Sequence, residues 1–388
     1  MDFAMTEAQR EIREQILRLC ARFDDAYWLE RDRTATFPEA FFAAVAAGNW
    51  LGIAMPEQFG GAGLGITEAA IMMQAIAESG AGMSGASAIH MNIFGLNPVV
   101  VYGTPEQQAR MLPPLIAGQE RACFGVTEPN AGLNTAEITT RAERRGDRYV
   151  VNGTKIWTST AQEANRILLL TRTTPREQAK RRTDGMTLFY TALDRAHAEV
   201  RLIHKMGRHA VDSNMVFFTD MDVPAEDRIG PEGDGFRVLL HGLNPERILL
   251  AAEAVGIGRV ALARAARYAR ERVVFGRPIG QNQAIQHPLA ESWAQLEAAH
   301  LLMLKAAWLY DSGQDAGAAA NAAKYIAAEA GYHACERAVM THGGMGYAQE
   351  YHVERYFRES LIPRLTPISP QLILSYLAER VLDLPKSY

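Results

Sequence analysis

RYVVNGTKIWTST, residues 148–160, is the stretch that decides the fold. Tyr149, Val150 and Val151 precede the pair Asn152-Gly153, and Ile156 and Trp157 follow it. An Asn-Gly pair between two β-rich runs is the strongest short hairpin signal, because both residues accept the positive φ of a two-residue turn. A hairpin turning at Asn152-Gly153 is therefore expected. Further out, ANRILLLTRT (164–173), MTLFYTAL (186–193), AEVRLI (198–203) and NMVFFTDMDVP (214–224) read as strands with turns between them. That spacing suits a small sandwich or barrel. The loop TPREQAKRRTDG (174–185) is basic and polar and reads as solvated.

On both sides of this block the period changes to that of helices. Thr6 can cap TEAQREIREQILRLCARF, where Ile12, Ile16, Leu17 and Leu19 recur at helical spacing. Further helices are expected over 38–48, 66–79, 86–101 and 105–117. GGAGLG (60–65) lacks the dinucleotide-binding spacing and follows no strand, so it reads as a loop. After residue 235, long apolar patterns run from Phe236 to about Val274, from 283 to 312 and from 317 to 341, as in an antiparallel bundle. The expected class is α+β: an N-terminal α-helical domain (1–120), a middle small β-sandwich or barrel (121–235) and a C-terminal four-helix-bundle-like domain (236–388). There is no βαβ alternation, which argues against a Rossmann domain.

A chain of 388 residues is long for one core, in keeping with two or three domains. Its 48% hydrophobic and 22% charged residues are ordinary for a globular protein. A net charge of −4 gives no reason to expect a nucleic-acid surface. The start MDFAMTEAQREIREQ lacks the apolar segment of a secretion signal, and no apolar run reaches the roughly 18 residues of a membrane helix. Cys20, Cys123 and Cys335 are odd in number and far apart, which reads as free thiols in a reducing compartment; a cytoplasmic protein is expected.

HExxH, CxxC, GxSxG and GxxxxGK[ST] are all absent, so no metal, serine-nucleophile or P-loop chemistry is expected. Four local stretches remain. They are FGVTEPNAG (124–132), KIWTST (155–160), RERVVFGRPIGQNQAIQ (270–286) and THGGMGYAQEYHVERYFRE (341–359). Each alone has a structural reading: a turn at Thr127, a core Trp157, helix caps at Gly343 and Gly344. Taken in this order they resemble the acyl-CoA dehydrogenase family, over nearly the whole chain.

The resemblance implies FAD between the β domain and the C-terminal bundle. Thr127 and the backbone around Phe124 and Val126 would hold the flavin's pyrimidine edge. Trp157 would stack near the isoalloxazine, with Thr158 beside it and Ser159 toward N5 and O4. Arg272, Phe275 and Gln283 would hold the pyrophosphate and adenosine of an FAD bound mainly by a neighbouring subunit, and Gly343–Gly344 would approach the same region, where a Cβ would intrude. A homo-oligomer, an acyl-CoA substrate and electron-transfer flavoprotein as acceptor are implied in the same way; no nucleic-acid or membrane partner is.

The family's usual base, a Glu in an EGT motif, has no counterpart. An ungapped count from Arg358 through RESLIPRLTPISPQLIL (358–374) puts Pro367 at that position, with Ser369 at the Thr position and Gln371 at a further polar one. Proline carries no N–H, so a backbone donor to the thioester oxygen is missing unless the loop shifts and Ile368 donates. The TEPxAG serine is replaced by Leu133, followed by Asn134, and Met340 stands for a Gln before GGxG. Leu133 thus marks a substrate-side contact that has changed. GLNPERILLAAEAVG (242–256) supplies the alternative base. Glu246–Arg247 resembles the long-helix base of isovaleryl-CoA and long-chain types, and its apolar company would raise the carboxyl toward neutral pH while Arg247 opposes. Asn244 and Arg247 would lie near substrate. A flavin oxidase or monooxygenase, and an impaired acyl-CoA-binding subunit, stay open beside the dehydrogenase. The acyl chain is not legible; Met91 and Phe94 in 86–101 are candidate walls.

Overall fold

The computed structural model describes residues 4–387, the Phe94 side chain excepted, so the expectation for that residue lies outside the described part. The N-terminal helices are α1 (Glu7–Cys20), α2 (Asp25–Thr34), α3 (Glu39–Ala47), α4 (Ile66–Ile76), α5 (Gly82–Phe94), α6 (Asn97–Tyr102) and α7 (Pro105–Ile116). Thr6 closes a capping box: its hydroxyl accepts from the Gln9 N–H at 3.2 Å, and the Gln9 side chain accepts from the Thr6 N–H at 3.1 Å. One face of α1 then buries Ile12, Ile16 and Cys20.

Two expected helices are divided differently. The pattern at 66–79 passes through a π-helical turn, Ala77–Ala81, where Gly80 takes φ +106, and leads into α5. The pattern at 86–101 breaks at Gly95–Leu96, and α2 was not expected at all because its apolar residues follow no helical stripe.

The middle strands are β1 (Ala122–Gly125), β2 (Arg141–Arg145), β3 (Arg148–Ser159), β4 (Arg166–Arg172), β5 (Met186–Ala192), β6 (Ala198–Leu202), β7 (Ser213–Pro224) and β8 (Arg228–Ile229). They form one eight-stranded sheet in the order β6-β7-β3-β2-β4-β5-β8, with β1 parallel to β4. β2 touches β4 through a single pair, Arg141 with Arg172, so the sheet is two halves joined at one point. Tyr149, Val151, Phe218 and Met221 of one half share a core with Ile167, Leu169 and Phe189 of the other. The opposite side of β4 and β5, carrying Leu168, Leu170 and Leu188, packs on Met111, Leu112 and Leu115 of α7.

The hairpin expected at Asn152-Gly153 does not turn there. β3 runs straight through the pair, which forms a bulge against β7, and the chain reverses between β2 and β3 at Gly146–Asp147. Asn152 is held across the bulge: its Nδ2 donates to Asp220 Oδ1 at 2.9 Å, and its Oδ1 accepts from the Asp220 N–H at 3.0 Å. Gly153 has φ +149, and a Cβ there would come within 2.5–2.7 Å of Thr140. Glycine is needed for close approach at a bulge rather than for a turn.

The C-terminal part comprises α8 (Gly235–His241), α9 (Leu243–Glu271), the short hairpin β9 (Val273–Val274) and β10 (Arg277–Pro278), then α10 (Gln283–Asp311), α11 (Gly317–His342), α12 (Val353–Glu359), α13 (Ile362–Leu365) and α14 (Pro370–Arg380). The single pattern expected from Phe236 to about Val274 is thus two helices meeting at Gly242, followed by a strand. α9 is buried along most of its length: Ile248, Leu249, Ala251, Ala252 and Val255 pack with α4 and α5 residues such as Met72, Ile76 and Ile89. Asp311 ties α10 back to the start of α4, accepting from the N–H groups of Ile66 and Thr67 at 2.8 and 2.9 Å.

Candidate active site

Glu246 stands in the first turn of α9, already inside the helix, with its N–H donating to the Gly242 carbonyl at 3.2 Å. Its carboxylate Oε2 is closed to solvent and has no hydrogen-bond partner. Burial pushes the carboxyl up to about 7, against the opposing charges of His90, Arg247 and Lys324; Glu253 reinforces the rise. The helix N-terminus would favour the anion by about 0.3–1 kcal/mol, less than one pH unit, so desolvation wins.

Four groups surround this carboxyl. Glu253, two turns later on α9, is fully buried, and its Oε1 lies 2.5 Å from Nδ1 of His90 on α5. Arg247 donates to Asn244 Oδ1 at 2.9 Å, while its Nε is buried and unpartnered. Lys324 of α11 is buried, donates to the Ile368 carbonyl at 2.8 Å and is pushed down to about 8 by burial, with Arg247 adding to the fall. Through Lys324 the Thr366–Ser369 segment is fastened next to Glu246's surroundings. Ser369 itself caps α14, accepting from the Leu372 N–H at 3.3 Å, and Gln371 is exposed.

The TEP and KIWTST stretches meet beside β1. Lys155 is fully buried and donates to Glu128 Oε1 at 2.9 Å and to the Val126 carbonyl at 3.0 Å. Glu128 also accepts from the N–H groups of Thr139 and Thr140 at 2.7 and 2.9 Å. The Ile156 N–H donates to the Thr127 carbonyl at 2.9 Å. These bonds fix Val126 and Thr127 to Lys155 and Ile156, next to Trp157, while Phe124 is held by the pairing of β1 with β4. Trp157 takes φ +60 and is 56% exposed, which is strained for an aromatic residue and leaves a ring face open. Thr158 next to it is fully buried with an unpartnered Oγ1, and Ser159 accepts from Arg208 Nη2 at 3.0 Å. An orphaned hydroxyl beside an open indole fits a ligand with hydrogen-bonding edges and a flat ring, as a flavin has.

Arg272, Phe275 and Gln283 stand elsewhere. They lie on or next to the β9–β10 hairpin, at the far end of α9. A helical rise of 1.5 Å per residue puts Arg272 about 39 Å from Glu246 along the helix. Phe275 is 100% exposed at φ +53, and Gly276 at φ +77 completes a turn with two positive φ angles. Gly343 caps α11 at φ +61, and a Cβ on Gly343 or Gly344 would meet no atom of this chain within 4 Å. The intrusion expected there is therefore not into the chain's own atoms. Leu133 is 54% exposed, and Met91 is buried in the helical core.

Lys155, Glu128, His90, Lys324 and Arg208 were not among the expected site residues. Lys155 and Glu128 lie inside the quoted motifs, so that signal was present; the other three have no local pattern.

Among the described residues no helix is long and apolar enough to cross a membrane. The acyl-CoA dehydrogenase N-terminal domain matches residues 6–119, its middle domain 123–221 and its C-terminal domain 233–367. The chain is 35% identical over 399 aligned positions to the acyl-CoA dehydrogenase FadE12 of Mycobacterium tuberculosis, covering 100% of this chain and 99% of that one. Its fold is similar to butyryl-CoA dehydrogenase of Megasphaera elsdenii, with a TM-score of 0.93, 28% identity and 98% and 100% of the two chains covered. It is likewise similar to the glutaryl-coenzyme A dehydrogenase glutaryl-CoA complex, with a TM-score of 0.94, 27% identity and coverage of 100% and 98%. Matched along its length by all three domains, the chain is an FAD-dependent oxidoreductase and belongs to the acyl-CoA dehydrogenase family.

Proposed function

We propose that the protein dehydrogenates an acyl-CoA thioester to the trans-2-enoyl-CoA, with Glu246 as the base that takes the α-proton. One observation carries this reading: a carboxylate oxygen closed to solvent, without a partner, on a carboxyl raised to about 7. A base poised near the working pH can accept a proton and later release it. Bound FAD supplies the acceptor for the hydride that leaves the β-carbon. Phe124, Val126, Thr127, Trp157, Thr158 and Ser159 would hold the flavin, with Ser369 and Gln371 on its C-terminal side. Glu128 and Lys155 keep Val126 and the Thr127 turn in place. Asn244 and Arg247 would orient the CoA side of the thioester, with Leu133 at its rim. Pro367 cannot donate to the thioester oxygen, so that oxygen depends on other donors.

Arg272, Phe275, Gln283, Gly343 and Gly344 would serve an FAD held mainly by a neighbouring subunit. The separation along α9 supports this, since one cofactor cannot reach both ends of a 29-residue helix. A homo-oligomer follows, with domains divided near 120 and 235 and electron-transfer flavoprotein as the acceptor. The test is the visible spectrum of the purified protein, taken anaerobically with a panel of acyl-CoA thioesters. Bleaching by a thioester in the wild type but not in Glu246→Gln supports the reading. Equal bleaching in both removes Glu246 from the role of base. Peroxide formation in air at the turnover rate would favour an oxidase.

A further inference from the structure

The loop between β6 and β7 holds two half-buried basic side chains, Lys205 and Arg208, that make no ion pair among the described residues. Arg208 stands at φ +54, donating from Nη1 to Ser87 Oγ at 3.2 Å and from Nη2 to Ser159 and Ser213 Oγ at 3.0 and 3.2 Å. Its Nε is closed to solvent and has no acceptor. Lys205 donates to the same Ser213 hydroxyl at 3.2 Å and to the Val211 carbonyl. Every one of these acceptors is neutral. Burial, with the neighbouring Arg208 charge adding to it, pushes Lys205 down to about 7, so Arg208 carries the lasting charge, and no anion touches it.

The acids that face them are engaged elsewhere. Glu253 is bound to His90 through Oε1 at 2.5 Å, its Oε2 remaining unpartnered. Glu359 accepts from the Ser84 hydroxyl at 2.6 Å and from the Met83 N–H at 2.7 Å, and pairs with Arg355 at 3.3 Å. Asp212 accepts from the Gln162 N–H at 3.1 Å and from Asn214. Arg208 thus has no carboxylate in direct contact.

The place of Arg208 in the molecule bears on where an anion would come from. Ser87 lies one turn before His90 on α5, and His90 feels the charges of Glu253, Glu246 and Arg208 together. Ser159 follows Trp157 by two residues in β3. The guanidinium therefore bridges α5, one turn from His90, and the end of the KIWTST stretch.

We propose that Arg208, with Ser87 beside it and Lys205 behind it, receives a carboxylate carried by the acyl group, so that the substrate is a dicarboxylic acyl-CoA. This rests on the dehydrogenase reading above. A charge-assisted contact suits a carboxylate, and a neutral alkanoyl chain would leave the guanidinium without an anion.

The test uses the holoenzyme with matched thioesters: glutaryl-CoA against pentanoyl-CoA, and adipyl-CoA against hexanoyl-CoA. The dicarboxylic member should have the higher kcat/KM by about 10²-fold, and Arg208→Met should abolish that ratio while Arg208→Lys keeps part of it. Calorimetry with two CoA thioethers that bear no thioester, 4-carboxybutyl and pentyl, should show the same preference in binding. A wild-type preference for the neutral member overturns the proposal. So does an Arg208→Met that slows both members alike and lowers the flavin midpoint potential, which would give the guanidinium to the cofactor. If no thioester of either kind bleaches the flavin, the dehydrogenase reading fails, and the thioether pair still decides the carboxylate pocket.

Discussion

Glu253 and His90 meet with 2.5 Å between Oε1 and Nδ1, joining α9 to α5 inside the helical core. Glu246, two turns earlier on the same face of α9, makes no such ion pair among the described residues, although each of the two carboxylates keeps a buried, unpartnered Oε2. One helix thus carries a carboxylate that is spent on structure and one that is kept for chemistry, and the difference lies in what α5 places opposite each.

The pH dependence of turnover follows from Glu246. As a base it must be deprotonated, so kcat/KM should fall as pH drops through about 7. Glu246→Gln should lower kcat by about 10²–10⁴-fold. Stability moves the other way. The folded carboxyl binds its proton more tightly than the unfolded one, so stability is full below about 4.5 and is lost as pH rises through about 7. Glu246→Gln should therefore be more stable than the wild type at pH 8, by about 3 kcal/mol, and close to it at pH 4.5. Urea melts at the two pH values check this; equal melts at pH 8 would mean that the carboxyl is not raised.

Glu253→Gln should act on two readouts at once. Burial alone would lower His90, but the charge and hydrogen bond of Glu253 outweigh it and hold the imidazole above its usual 6.5. That raised proton affinity gives stability present below 6.5 and lost as pH rises through the folded value. The variant should lose more stability at pH 6 than at pH 9. With His90 left neutral, Glu246 loses a neighbouring positive charge; losing the Glu253 charge opposes this, but His90 acts the more strongly on Glu246, so the acid limb of the kcat/KM profile should move modestly to higher pH. A stability loss with an unmoved acid limb would confine the pair to a structural role.

Lys155 anchors the β1 side of the site. It is 0% exposed and its partner Glu128 nearly so; Lys155→Met would leave a buried carboxylate without its cation, held only by the Thr139 and Thr140 donors. Removing one member of such a pair costs about 3–5 kcal/mol. The Tm should drop, and FAD should be released more readily because the Val126 carbonyl and the Thr127 turn lose their tie. Thermal denaturation and the FAD dissociation constant test the two effects; an unchanged FAD affinity would separate the pair from the cofactor site.

The helix–sheet–helix order was legible because each segment's signal is local: a short run of β-forming residues at 186–193, helical spacing from Ile12 to Leu19. The bulge at Asn152-Gly153 was misread for a physical reason. A positive φ serves a turn and a bulge equally, and only Thr140, brought alongside by β2, tells them apart. Glu246 could be singled out by its motif, but its poise could not, since that depends on α5 and α11. His90 and Glu253 lie 163 residues apart, and Arg208 and Ser87 lie 121 apart. No local pattern records such pairs.

Phe275 offers a test of the shared site that leaves Glu246 alone. It is 100% exposed and held at φ +53, where a bulky residue is strained, so nothing within its own chain accounts for it. Phe275→Gly relieves that strain and removes an exposed ring, so the subunit's own thermal stability should not fall and could gain about 1 kcal/mol from the relaxed backbone. If the ring lies on an FAD bound by a neighbouring subunit, FAD affinity should drop by about 10-fold or more, corresponding to the loss of a stacked aromatic contact. The flavin lost should be recovered at high added FAD. Gel filtration of the apo and reconstituted forms would then show whether the assembly loosens with the cofactor. Full FAD retention in Phe275→Gly would mean that the hairpin does not reach the neighbour's cofactor, and the two ends of α9 would have to serve separate purposes.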